Sequence, residues 1–177
     1  MFKKLFTSFT LSAVLTSSLF SAELYFMPDE QDKALKALIS TIKNSKNTLD
    51  IAIYSFTNKE ISKAIRDIAK KGVKVRIIYD KKSNKNVNNS TIGYLSKLNN
   101  VETCLLEGKR SSNGKYKGLM HTKMAISDKD TLIIGSANWS KSAFETNYET
   151  LLLTQESALI EKSKKEFNKM FKECEKY

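Results

Sequence analysis

Residues 121–138 read HTKMAISDKDTLIIGSAN, and the architecture of the chain can be worked outward from them. Met120 to Ser127 is an apolar, strand-like run in which side chains two apart share a face. His121 and Lys123 therefore point together, while Met124 and Ile126 point away. Thr131 to Ile134 is a second short strand, and Asp128-Lys129-Asp130 between them suits a hairpin. That hairpin returns Gly135-Ser136-Ala137-Asn138 to the side of His121, with Gly135 permitting close backbone approach. Asp128 has the opposite parity to His121, so it is expected to fix the turn or a dimer surface rather than touch substrate.

An imidazole beside an ammonium suits a phosphate. Lys123 supplies fixed positive charge to non-bridging oxygens, Asn138 adds a neutral donor, and neutral His121 can attack phosphorus once a neighbouring acceptor holds its other ring nitrogen. His121 is the only histidine among 177 residues. On its own a lone histidine is more often a surface or core residue than a catalytic one. Its companions at fixed spacing change that reading.

The pattern His-x-Lys, four residues, Asp, six residues, Gly-Ser-x-Asn resembles the signature of the phospholipase D superfamily, and the chain is similar to its small single-motif bacterial endonucleases. The stretch LDIAIYSFTNKEISKAIRDIAKKGVKVRIIYDK, residues 49–81, is similar to that family's strand, helix, strand unit, so the likeness runs from about Leu24 to Phe171. The resemblance implies a catalytic set of His121, Lys123, Asn138, Glu149, Ser136 and Asp128. It also implies that Glu149, in the strand-like run YETLLLT, is the carboxylate that hydrogen-bonds the nucleophile's second nitrogen and sets its tautomer. The product it implies carries a 5′-phosphate.

Displacing an alkoxide from phosphorus wants a general acid, and one histidine cannot both attack and donate at the same phosphate. With no second histidine in the chain, the simplest supply is His121 of another copy across a two-fold axis. A homodimer with one composite site is expected, working through a phosphohistidine. No metal or other cofactor is expected, since one histidine, two distant cysteines and no clustered carboxylates are poor ligand sets for zinc or a two-metal nuclease.

The chain opens MFKKLFTSFTLSAVLTSSLFSAELYF. Lys3 and Lys4 precede an uncharged apolar and hydroxyl-rich stretch ending near Ala22, as in an export signal. Residues 1–22 are read as that signal or as an N-terminal membrane anchor, although the stretch is short and polar for a stable span. Export to the cell envelope follows from either. From Glu23 about 155 residues remain, enough for one domain with its own core. Past Lys3 and Lys4 there remain 28 basic residues against 19 acidic, a charge of +9, so a polyanionic partner is expected. Cys104 and Cys174, the only cysteines, could form a disulfide in an oxidising envelope or remain free thiols, and their separation in sequence does not decide between them.

The periodicity predicts strands at 24–27, 49–54, 73–79 and 101–106, and helices at 32–43, 91–98 and 156–173. A capping box at Thr57-Asn58-Lys59-Glu60 starts a further helix that ends at Gly72. Residues 107–118 read as a flexible basic loop. The order βαβαβαβ, then antiparallel strands, then a helix argues for an α/β fold with a mixed sheet sandwiched between helix layers.

Charges and aromatics near the motif mark the expected substrate path: Lys117 and Arg110 for the phosphate backbone, with Phe56, Tyr116 and Trp139 for stacking on splayed bases. Phe56 and Trp139 read equally well as core. Such stacking favours single-stranded DNA, with RNA as a further candidate. Three functions compete: an exported endonuclease, a phospholipase or phosphatidyltransferase acting on lipid phosphodiesters, and an envelope DNA receptor serving uptake.

Overall fold

The computed structural model describes residues 22–177. The expected export or anchor segment, Ala22 apart, lies outside the described residues. Within them, alternation along the strands builds two cores on opposite faces of one sheet. In spatial order the strands are β1 (Ala22–Met27), β8 (Glu149–Thr154), β7 (Thr131–Gly135), β6 (Lys123–Ser127), β2 (Thr48–Ile53), β3 (Lys74–Asp80), β4 (Val101–Arg110) and β5 (Lys117–Leu119), with β9 (Glu175–Lys176) also on β4. β2, β3 and β4 pair in parallel and the other pairings are antiparallel, so the sheet is mixed as expected.

On one face, Leu49, Ile51 and Ile53 of β2, Val75, Ile77 and Tyr79 of β3, Ile133 of β7 and Leu151 of β8 are buried. They pack under α1 (Gln31–Asn44), which contributes Ala34, Leu38 and Ile42, and α2 (Lys59–Lys70), which contributes Ile61, Ala64, Ile65 and Ile68. On the other face Ala52, Ile78, Met124, Ile126 and Leu132 meet Ile160 and Phe167 of α6 (Ser157–Glu173). Short helices α3 (Lys81–Asn84), α4 (Ile92–Leu95) and α5 (Lys141–Glu145) occupy the connections. No helix among the described residues is long and apolar enough to cross a membrane.

Several elements differ from the periodicity reading. The helix expected over 91–98 is a single turn, α4. Residues 107–118 are no free loop: β4 runs on to Arg110 and folds back as β5, with Gly108 so close to it that a Cβ on Gly108 would overlap the backbone of Gly118 and Leu119. The motif strand begins at Lys123, and Met120 to Thr122 lead into it outside the ladder. α2 is capped by Asn58 rather than Thr57, its Oδ1 accepting from the Glu60 and Ile61 N–H groups at 2.9 and 3.2 Å, a standard N-cap arrangement. Cys104 and Cys174 form a disulfide, which fastens the end of α6 to β4 beside β9.

Candidate active site

The carboxyl ends of β2, β3 and β7 and the starts of β6 and β8 share one edge of the sheet, the position where open α/β sheets hold ligands. Sheet register sets the site: Ile53 pairs with Lys123, Gly135 with Leu151, and Met27 with Glu149. Gly135 is required here, because a Cβ on it would overlap the Thr150 carbonyl oxygen. The loop after it is stitched to the end of β2, as Trp139 N–H donates to Ser55 and the Thr57 and Asn58 N–H groups donate to the Trp139 carbonyl, each near 3 Å.

Lys123 Nζ lies against the imidazole of His121, 2.9 Å from Nδ1 and 3.1 Å from Nε2, and donates to the His121 carbonyl at 2.8 Å. The Tyr54 ring closes the other side, its centroid 4.4 Å from that of His121 and 5.0 Å from Lys123 Nζ. Lys123 is only 6% exposed. Burial pushes its pKa below that of an ordinary lysine, while the Glu149 and Asp80 carboxylates pull in the opposite direction. Burying the ammonium carries a desolvation cost that those carboxylates partly offset.

Glu149 does not bond His121 as the resemblance implied. Its Oε2 accepts a short hydrogen bond from Ser136 Oγ, which in turn accepts from the Thr150 N–H at 3.0 Å. The link between Glu149 and the site in this chain is therefore electrostatic, through Lys123. Asn138 follows on the same loop with its Oδ1 buried and without a hydrogen-bond partner, a state that native proteins seldom leave unexplained.

Asp128 stands at the far end of β6 from His121. Its carboxylate accepts from the backbone N–H groups of Lys46, Asn47 and Thr48 at 2.6, 2.7 and 3.0 Å, holding the entry to β2. That matches the parity argument and corrects its grouping with catalytic residues. Phe56 and Trp139 are core residues at 0% and 1% exposure, packed edge to face with centroids 5.1 Å apart, so neither can stack on a base. Lys117 is paired with Glu107 at 2.6 Å and Arg110 donates to the Gly114 carbonyl at 2.9 Å. Both sit with the exposed Tyr116 on the β4–β5 hairpin.

Sequence reasoning missed Asp80. It is fully buried at the end of β3, where Oδ1 accepts from the Ser83 N–H at 2.9 Å and Oδ2 from the Met120 N–H at 3.0 Å. A carboxylate at a strand end reads as a turn residue, and only the fold brings it against the residue preceding His121. Tyr54, the last residue of the strand expected over 49–54, lies with its ring on His121, a contact set by the β2–β6 register. Among the described residues no three His, Cys, Asp or Glu side chains converge as a metal-binding group.

A family model described as cardiolipin synthase, PLD-like domain, matches residues 38–171. The chain belongs to the phospholipase D-like family, a family of phosphodiesterases. Among solved structures it is similar to NucT from Helicobacter pylori, with 47% identity and a TM-score of 0.88 over 89% of this chain and 99% of that one. Nuc from Salmonella typhimurium, a phospholipase D family member, shares the fold at 23% identity, with a TM-score of 0.73 over 89% of this chain and 98% of that one. The human mitochondrial cardiolipin hydrolase is 28% identical over 142 residues, which are 80% of this chain and 52% of that protein. The chain thus spans about half the length of that relative.

Proposed function

We propose that this chain is an exported, metal-independent endonuclease that hydrolyses DNA, single strands in preference to duplex and RNA as a second substrate, through a phosphohistidine. The observation that carries this reading is Lys123 Nζ held against the imidazole of His121 where β2 ends and β6 begins. In the first step an imidazole nitrogen of His121 bonds to phosphorus as the bond to the leaving oxygen breaks, and a second imidazolium gives that oxygen its proton. In the second, water attacks phosphorus, the P–N bond breaks, and the second imidazole takes the water's proton. Lys123 and Asn138 bind the non-bridging oxygens as charge builds on them.

Since the chain has one histidine, the second imidazole is His121 of another copy, and the working unit is a homodimer with a composite site. Nucleic acid as substrate is supported by the charge of the chain, +11, by the basic hairpin that carries Arg110 and Tyr116, and by similarity to NucT along nearly the whole of that chain. Export is supported by the Lys3-Lys4 pair and the apolar run after it. A lipid phosphodiester is the second reading, favoured by the human relative, a mitochondrial cardiolipin hydrolase.

The test is cleavage of single-stranded DNA, duplex DNA and cardiolipin vesicles in excess EDTA, by wild type beside His121→Ala. DNA cutting by wild type alone, faster on single strands, is expected. Turnover of cardiolipin exceeding that of DNA would reverse the ranking.

A further inference from the structure

We propose that the groove between α2 and residues 88–94 is a second nucleic-acid subsite, which takes the single strand flanking the scissile phosphate. The inference rests on the nuclease reading above. Lys59, Lys63 and Arg66 recur at i, i+4 and i+7 along α2, so they form one ridge about 10 Å long. Asn88, Asn89 and Tyr94 make the facing wall, and the space between is about 650 Å³.

Arg66 is held by Asp67, its Nη2 2.6 Å from Oδ1. Lys59 and Lys63 are exposed and make no ion pair among the described residues. On α6, by contrast, Lys164 and Lys169 are paired with Glu161 and Glu166. Two unpaired ammoniums one helical turn apart suit successive phosphates. The facing carboxamides can donate to and accept from base edges, and the Tyr94 ring, 44% exposed, offers a surface for stacking. A lipid headgroup presents no such run of phosphates and bases.

Thr57, which lines the groove, donates its N–H to the carbonyl of Trp139, the residue after Asn138. Tyr54, whose ring lies on His121, precedes Thr57 by three residues, at most about 10 Å of chain. A strand with one phosphate at His121 therefore reaches the ridge within a few nucleotides.

The experiment compares kcat/KM on a dinucleotide and on single-stranded DNA oligonucleotides of increasing length, for wild type and for Lys59→Glu/Lys63→Glu. The ratio of long to short substrate cancels any general change in activity. The ratio is expected to rise with length in the wild type and to fall at least about tenfold in the variant, whose log-log salt slope of binding drops by about 1.4. Circular dichroism verifies the fold, and Lys59→Gln/Lys63→Gln replaces the charge reversal if that variant does not fold. A ratio unchanged in a folded variant overturns the subsite and leaves the nuclease reading standing. A wild type that cuts no oligonucleotide overturns both.

Discussion

Asp80 Oδ2 accepts the backbone N–H of Met120 at 3.0 Å, so a carboxylate on β3 sets where the residue ahead of His121 lies. Asp80 is fully buried, and a buried carboxylate is retained only where its oxygens are bonded. Asp80→Asn replaces one acceptor oxygen with a donor that faces a donor. We expect kcat to fall by about ten- to a hundredfold, the scale on which a displaced reacting group costs rate, with KM nearly unchanged. Steady-state kinetics on DNA checks this; a change confined to KM would contradict a positioning role.

In the proposed mechanism Lys123 acts protonated, and burial lowers its pKa. Activity is therefore expected to fall on the alkaline side as pH rises through a value below the ordinary lysine range of about 10.4. The Glu149 charge raises the Lys123 pKa, so Glu149→Gln is expected to move that alkaline limb to still lower pH. A pH profile of kcat/KM for the two proteins decides it, and a limb that stays in place or moves up contradicts the coupling.

Asp128 holds three backbone N–H groups, and their bonds hold its carboxyl below the usual aspartate range against the opposing effect of burial. A carboxylate depressed in the folded state contributes stability above its unfolded pKa and loses it as pH falls through the folded value. Asp128→Ala is expected to cost about 2 kcal/mol near neutrality, measured by urea unfolding. The cost should shrink in acid, and the folded variant should cleave DNA at close to the wild-type rate. A folded Asp128→Ala with no activity would return this residue to the catalytic set.

The sequence expectation that His121 and Lys123 lie together matches the contact between them, although His121 precedes β6 and strand parity does not account for it. Residues 49–81 were equally legible, because alternation for the strands and a 3.6-residue period for α2 each carry the core. The β4–β5 hairpin was not: Gly108, Gly114 and the basic residues between lack the apolar alternation that marks a strand, and a Gly-Gly backbone contact leaves no pattern in sequence. Phe56 and Trp139 could not be placed because aromatic rings suit bases and cores alike. Their burial follows from the Trp139–Thr57 backbone bond, a long-range contact. Asp80 and the partner of Glu149 were hidden for the same reason, as each depends on which strands lie side by side.

Cys104 and Cys174 close a loop with a sequence separation of 70. Cross-linking a loop of that length is worth about 4 kcal/mol in the chain-entropy account. Reduction with dithiothreitol is expected to lower the urea midpoint substantially and to raise the m-value, since the unfolded chain expands once the bridge opens, and an unchanged midpoint would show that the bridge does not form in solution.

The central claim is covalent chemistry at His121, and the most direct test is to quench a single turnover of a labelled single-stranded oligonucleotide in excess EDTA and digest the protein. The account predicts an acid-labile, base-stable nucleotide adduct on the peptide containing His121, absent from His121→Ala. Cleavage in EDTA with no such adduct, or cleavage that requires added Mg²⁺, would contradict it.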